Sequence, residues 1–208
     1  MAGFDDEERE RIRADLLRAG EDLFVQYGPK RATITDVTDA VGVSKPIFYR
    51  FFDSKAEFYV AILRRRNEAF ARETRSELED VATPYEGLKR LLYRYKSHLE
   101  ENPLVRRSLT REHYRDVFRN VPPELLRELQ EESVPDVLPL VRSLQERSDG
   151  RFAEYDPATV LGVLETVGLQ VAQRAGDDDG AADYDQVMSL LISSLARGLT
   201  ADTYQAPG

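Results

Sequence analysis

Two helix-start signals, Thr33 and Ser44, stand on either side of a glycine, Gly42, in the stretch from Thr33 to Lys55. That spacing leaves room for two short helices and a tight turn, and for little else. Thr33 is placed as an N-cap, with Asp36 three residues on as its acidic partner. The helix it starts runs to about Val41, and Gly42 supplies the turn. Ser44 is placed to cap the next helix, and Pro46 sits in the first turn, where a missing N–H costs nothing. This second helix holds Ile47, Phe48, Tyr49, Arg50 and Phe51. Asp53 and Ser54 end it and cap a longer helix from Lys55 to about Glu79. Two short helices across a glycine turn form a helix-turn-helix unit, whose second helix projects its exposed start into a DNA major groove.

The remainder keeps the helical period. Ile12, Leu16, Ala19, Gly20, Leu23, Phe24 and Tyr27 predict an amphipathic helix over about 7–27, stopped by Gly28-Pro29. Thr83-Pro84 opens a helix over 84–101 with a stripe of Leu88, Leu91, Leu92, Tyr95 and Leu99. Asn102-Pro103 breaks it, and a helix is expected over 103–119. Pro122-Pro123 starts another, which Pro135 and Pro139 should kink or divide before Gly150. Residues 157–174 leave almost no polar face, so that helix is expected to be buried on most sides. Gly176-Asp177-Asp178-Asp179-Gly180 reads as a solvated loop. A last helix over about 183–199 carries Val187, Leu190, Leu191, Leu195 and Leu199. No strand pattern appears. The expected fold is all-α: an N-terminal three-helix DNA-binding domain over 1–54, and a helical domain over 55–208.

Composition narrows the chemistry. There is no cysteine, which excludes disulfides, thiolate zinc sites and cysteine nucleophiles. The two histidines, His98 and His113, stand in none of the helical spacings that load zinc or a di-iron pair. No catalytic residue, metal or cofactor is assigned. No stretch approaches the roughly 18 uninterrupted apolar residues of a membrane span, and the acidic start is unlike a signal peptide, so a cytoplasmic address is expected. The net charge of −9 is wrong for a DNA binder if spread evenly. It is not: residues 27–66 carry Lys30, Arg31, Lys45, Arg50, Lys55, Arg64, Arg65 and Arg66 against Asp36, Asp39, Asp53 and Glu57. One basic block inside an acidic chain is a local electrostatic footprint.

The stretch resembles the N-terminal signature of TetR/AcrR-type transcriptional regulators. Thr33, Val37, Gly42, Val43, Ser44, Tyr49, Phe52, Ser54 and Lys55 stand in register with it, and the likeness covers about residues 9–60. The resemblance implies a homodimer on a palindromic double-stranded DNA operator, paired through the last two helices. It also implies a pocket among the C-terminal helices for a small, largely apolar effector. Three positions depart from the pattern. Pro46 replaces the usual glycine, Phe51 stands where a phosphate-contacting histidine is frequent, and Thr38 replaces a small alanine, so its hydroxyl must find a partner.

The DNA-contact candidates are Thr33, Ser44, Lys45, Pro46, Ile47, Tyr49, Arg50 and Lys55. Lys55 opens the long helix, where free N–H groups and the dipole favour a phosphate; otherwise it is a solvated lysine. Tyr49 either donates its hydroxyl to phosphate or is a core tyrosine. Arg50 reaches guanine or only phosphate, while Lys45 and Ile47 can read guanine and a thymine methyl. Thr33 and Ser44 are caps first. Pocket candidates are Tyr95, His98, Leu99, His113, Tyr114, Phe118, Glu165 and Gln170, each of which can equally be plain core or surface. Glu165 is the only charge in an otherwise apolar run, so it must pair, meet a ligand or face solvent. Gly162 and Gly168 permit close helix approach, in a dimer bundle or in local packing. The leading reading is a ligand-responsive regulator, a repressor released from its operator by a small molecule. Its rivals are a structural DNA- or partner-binding protein without inducer and a helical-bundle enzyme.

Overall fold

A computed structural model describes residues 5–109, 137–174 and 181–201 of the chain, and the described residues are helical apart from their connections. The helices are α1 (Asp6–Tyr27), α2 (Ile34–Val41), α3 (Lys45–Phe48), α4 (Lys55–Glu79), α5 (Pro84–Glu101), α6 (Pro103–Ser108), α7 (Leu138–Gln145), α8 (Pro157–Arg174) and α9 (Ala181–Thr200), with a 3₁₀ turn at Arg151–Glu154. They form two compact units that divide inside α4, between Arg66 and Asn67. The first unit therefore extends past residue 54, because the opening turns of α4 belong to its core.

That core is built on aromatic rings. Phe58 of α4 meets Phe24 of α1 at 5.8 Å, Phe48 of α3 at 5.0 Å and Phe52 at 4.8 Å between centroids, all edge to face. Gly20 on α1 makes room for the Phe58 ring, which occupies the space a Cβ would need. Ile12, Leu16, Leu17 and Val37 complete the packing. Between α2 and α3 the chain turns on Gly42 at φ 74°, a left-handed conformation in which glycine carries no Cβ penalty. The N–H of Val43 reaches back to the carbonyl of Thr38 at 3.0 Å and closes the turn. The Thr38 hydroxyl, buried between the helices, donates to the carbonyl of Thr35 at 3.0 Å.

α3 is shorter than the sequence suggests. It ends at Phe48, and Tyr49 to Phe51 follow as turns. The N–H groups of Arg50 and Phe51 bond three residues back, to Ile47 and Phe48. The winding thus continues in the tighter 3₁₀ manner.

In the second unit α5 is the central helix, flanked by α7, α8 and α9. Leu88, Leu91, Leu92 and Leu99 of α5 are fully buried, as are Leu164 and Val167 of α8 and Ile192 of α9. Gly168 brings α8 close to α5 and α6: a Cβ there would lie 3.0 Å from Leu99 and Leu109 and 3.1 Å from Tyr95. Gly168 therefore serves packing within the chain, whereas Gly162 faces open space. Arg147 donates to the carbonyls of Leu78 and Glu79 and satisfies the free end of α4. The amide of Gln145 donates to the carbonyls of Phe152 and Tyr155 and holds the 3₁₀ turn.

Two helices are more one-sided than expected. α8 buries only the row Val160, Leu164, Val167, Gly168 and Val171; Leu169 is 45% exposed, and Glu165, Thr166 and Gln170 are exposed. α9 buries Met188, Ile192 and Ala196, while Val187 and Leu190 of the expected stripe are 56% and 70% exposed. Among the described residues, apolar side chains cover more of each helix than is buried. Pro139 lies in the first turn of α7, and residues 110–136, on which the expected division of a preceding helix falls, lie outside the described ones.

Replacing Gly20 by Ala is expected to overpack the Phe58 site and cost about 1–3 kcal/mol, read as a lower urea midpoint. Gly198→Ala, where a Cβ meets nothing within 4 Å, is expected to be neutral or to stabilise by up to about 1 kcal/mol.

Candidate nucleic-acid interface

The candidate surface lies on the first unit and begins with two helix starts that solve the same problem differently. At α2, Thr33 forms a full capping box. Its hydroxyl accepts from the N–H of Asp36 at 3.2 Å, and the Asp36 carboxylate accepts from the N–H of Thr33 at 2.7 Å and from its hydroxyl at 2.8 Å. These bonds, the backbone one first, hold the Asp36 carboxyl below its ordinary value. At α3, Ser44 occupies the N-cap conformation but makes no capping bond with its side chain. The reason is local. A cap hydroxyl serves the second or third N–H of the helix. The second position is Pro46, which has none, and the N–H of Ile47 is taken by the carbonyl of Ser44 at 2.9 Å. The expected Ser44 cap is thus absent, and its exposed hydroxyl is left for another use.

Around that start the side chains point outward. Lys45, Pro46 and Arg50 are exposed, Ile47 is half-buried, and Tyr49 is 50% exposed with its ring edge against Phe48 at 5.4 Å. Tyr49 is therefore not a core tyrosine. Phe48 and Phe52 beneath it are buried, and Phe51 is half-buried. Two arginines from α1 reach these rings, Arg9 at 5.8 Å from the centroid of Phe51 and Arg13 at 5.4 Å from that of Phe52. The sequence pattern offered no hint of this pairing, because the partners are some forty residues apart in the chain.

Ser54 starts α4 by accepting from the N–H of Glu57 at 3.0 Å, and the Glu57 carboxylate accepts from the N–H of Asp53 at 2.6 Å. Lys55 follows immediately. Its ammonium lies 5.9 Å from the ring centroid of Phe24. Partial burial lowers its pKa, and the charge of Asp36 works in the opposite direction. Not all of the basic block is available. Arg66 pairs through Nε with the carboxylate of Glu21, which is 5% exposed on α1. That ion pair joins α1 to α4 and leaves Arg66 a structural residue.

The pocket candidates separate. Tyr95 and His98 of α5 come together with Phe70 of α4, which stacks on His98 at 4.6 Å and meets Tyr95 at 6.2 Å. Leu99 is sealed in the core against Gly168. The Tyr95 phenol is pushed well above its usual value, first by burial and then by the charge of Glu165. Glu165 and Gln170 themselves are exposed on α8. His113, Tyr114 and Phe118 lie outside the described residues. Phe70 is itself buried, and nothing in its spacing separates it from plain core. Among the described residues no group of three or more His, Cys, Asp or Glu is placed to hold a metal ion, and no helix is long and apolar enough to cross a membrane.

Two short helices across a left-handed glycine, with an exposed polar and basic start on the second, define the class of helix-turn-helix proteins. Comparison with known proteins is consistent in placing the match there. Residues 16–62 match the bacterial regulatory proteins of the tetR family. The HTH-type transcriptional activator FasR of Mycolicibacterium smegmatis is 29% identical over 112 residues, which are 54% of this chain and 48% of that protein. The HTH-type transcriptional regulator TtgR of Pseudomonas putida is 31% identical over 102 residues, 49% of each. The chain thus spans about half the length of the curated relatives it matches. In fold it is similar to a putative tetR-family transcriptional regulator from Mesorhizobium loti, with TM-score 0.65 and 16% identity over 93% of this chain and 96% of that one. It is also similar to FadR of Bacillus subtilis, solved in complex with stearoyl-CoA, with TM-score 0.63 and 14% identity over 92% of this chain and 99% of that one. The match to the tetR family of helix-turn-helix regulators is carried by residues 16–62, and over the whole chain the likeness is one of fold.

Asp36→Asn is expected to remove a pH-dependent part of the stability. A carboxyl held below its usual value contributes above the ordinary 3.8, and that contribution is lost as pH falls through the lower, folded value. Urea midpoints recorded from pH 6 down to pH 3 should fall less steeply in the variant than in the parent, and parallel curves would remove the capping box from the acid response.

Proposed function

We propose that the protein is a ligand-responsive transcriptional regulator, a repressor that a small molecule releases from a palindromic operator. The observation that carries this reading is the exposed start of α3. Lys45 and Pro46 stand there, and Tyr49 and Arg50 in the turns that follow, over a buried aromatic core, inside the segment that matches the tetR family. α3 enters the major groove, with Lys45 and Ile47 at base edges and Arg50 at a base or phosphate. Ser44 and Tyr49 hold phosphates with their hydroxyls, Thr33 stands beside them as the cap of α2 with its hydroxyl proton given to Asp36, and Lys55 holds a phosphate with its ammonium beside the N–H groups that open α4. Pro46 adds bulk where the backbone meets DNA, so the operator is this protein's own. The functional division is residues 1–54 for DNA and 55–208 for sensing and pairing. A cytoplasmic location follows from the target.

Two such units pair through α8 and α9 in a homodimer. The exposed apolar residues Leu169, Val187 and Leu190 support this seam, since an apolar face left open in one chain is what a partner covers. The pairing sets the two reading helices about 34–36 Å apart, one turn of DNA. The effector is a largely apolar small molecule held in the second unit. Tyr95, His98 and Leu99, with Glu165 and Gln170 and with His113, Tyr114 and Phe118, are its proposed contacts. A ligand that binds one arrangement of the helices better than another shifts that separation and weakens the operator complex.

Lys55→Ala should weaken binding to all duplexes and lower the magnitude of the salt slope by about one, measured by anisotropy across a salt series. An unchanged slope would remove Lys55 from the phosphate contacts. Leu190→Glu should give monomers in sedimentation; a persistent dimer would move the interface off α9.

A further inference from the structure

We propose that Arg9 and Arg13 of α1 extend the DNA-binding surface, each donating to a phosphate oxygen beside the groove that α3 enters. The inference rests on the helix-turn-helix reading and adds to it a helix that lies outside the motif. The two arginines are four residues apart, so they share one face of α1, and both are exposed. Arg9 lies over Phe51 and Arg13 over Phe52. Those rings directly follow Arg50 and stand just ahead of the Ser54 cap and Lys55. Two cations of α1 are thus tethered at the junction of the two elements that carry Tyr49, Arg50 and Lys55.

The manner of tethering matters. A ring attracts a guanidinium through its π face and takes none of its hydrogen-bond donors. The five N–H groups lie in the guanidinium plane, in the fork that fits phosphate. The rings therefore order the side chains while leaving their donors for an anion. Other arginines of α1 differ. Arg11 pairs with Glu8 at 3.7 Å and Arg18 with Asp15 at 3.4 Å, both ordinary surface pairs along the helix. The opening turn of α1 carries Asp6, Glu7 and Glu8, with Glu10 just beyond, and these would repel DNA laid along the helix. Arg9 and Arg13 set two positive charges between that acidic turn and the reading surface. Such contacts carry no sequence information; they add affinity and fix the docking angle.

The test compares the full-length protein with R9Q/R13Q and R9K/R13K. The probes are a duplex of the sequence that the parent enriches from a random pool and a duplex of random sequence. Binding is read by anisotropy between about 50 and about 200 mM salt. The Gln variant should lower the magnitude of the salt slope by about two on both duplexes, so that the affinity ratio between the two salt concentrations shrinks about tenfold. It should enrich the same consensus as the parent. The Lys variant should keep the parental slope. A parental slope in R9Q/R13Q would overturn the proposal, as would a reduced slope in R9K/R13K. If the double Gln variant does not fold, the single variants R9Q and R13Q decide, each expected to lose about one from the slope. A parent that binds neither duplex overturns the helix-turn-helix reading and this proposal together. A parent that binds both while R9Q/R13Q keeps its slope overturns this proposal alone.

Discussion

The first unit depends on one contact, the ring of Phe58 against the bare backbone of Gly20. α1 and α4 approach closely enough to share a core only because position 20 carries no side chain. With Phe58 seated, its edges and face meet Phe24, Phe48 and Phe52, so three helices are referred to a single ring. Aromatic pairs in edge-to-face geometry add directionality to burial. That directionality sets the orientation of α3, because Phe48 is the one buried residue of that short helix. A helix of four residues has no stability of its own and takes its position from the core beneath it.

The surface above that core owes its chemistry to a withheld bond. Pro46 removes the N–H that Ser44 would have capped, and the carbonyl of Ser44 takes the next one. A serine at an N-cap usually spends its oxygen on its own helix. Here the hydroxyl is exposed without that duty, while Thr33 at the neighbouring start is fully engaged with Asp36. The same residue that limits the backbone of α3 therefore frees a side chain at its tip.

In the second unit the packing has an inner and an outer side. α5 is buried along Leu88, Leu91, Leu92 and Leu99, and α8 and α9 each turn one apolar row towards it. Gly168 draws α8 inward onto Leu99 and Leu109. Among the described residues Leu169, Val187 and Leu190 are apolar and stay exposed. The cost of leaving them in water scales with area, and the proposed pairing rests on that surplus.

The elements themselves were legible in the sequence. α4, α5 and α8 have the bounds their punctuation predicts, since Ser54, Thr83-Pro84 and the breaks after them act through neighbouring backbone groups alone. The Thr33–Asp36 capping box and the Gly42 turn were legible for the same reason, as were the residues of α3 that face outward. What only the tertiary structure decided depends on partners distant in the chain. Periodicity counts apolar residues but does not say which of them meet another helix, so it overstated the burial of α8 and missed the offset of the buried row in α9. Charge counting put Arg66 in the basic block of residues 27–66, where the fold pairs it with Glu21. It left Arg9 and Arg13 in an acidic segment, where the fold carries them to Phe51 and Phe52. Local hydrogen bonding is written in adjacent residues; the sharing of charge and of apolar surface is settled only when helices far apart in sequence come within van der Waals reach.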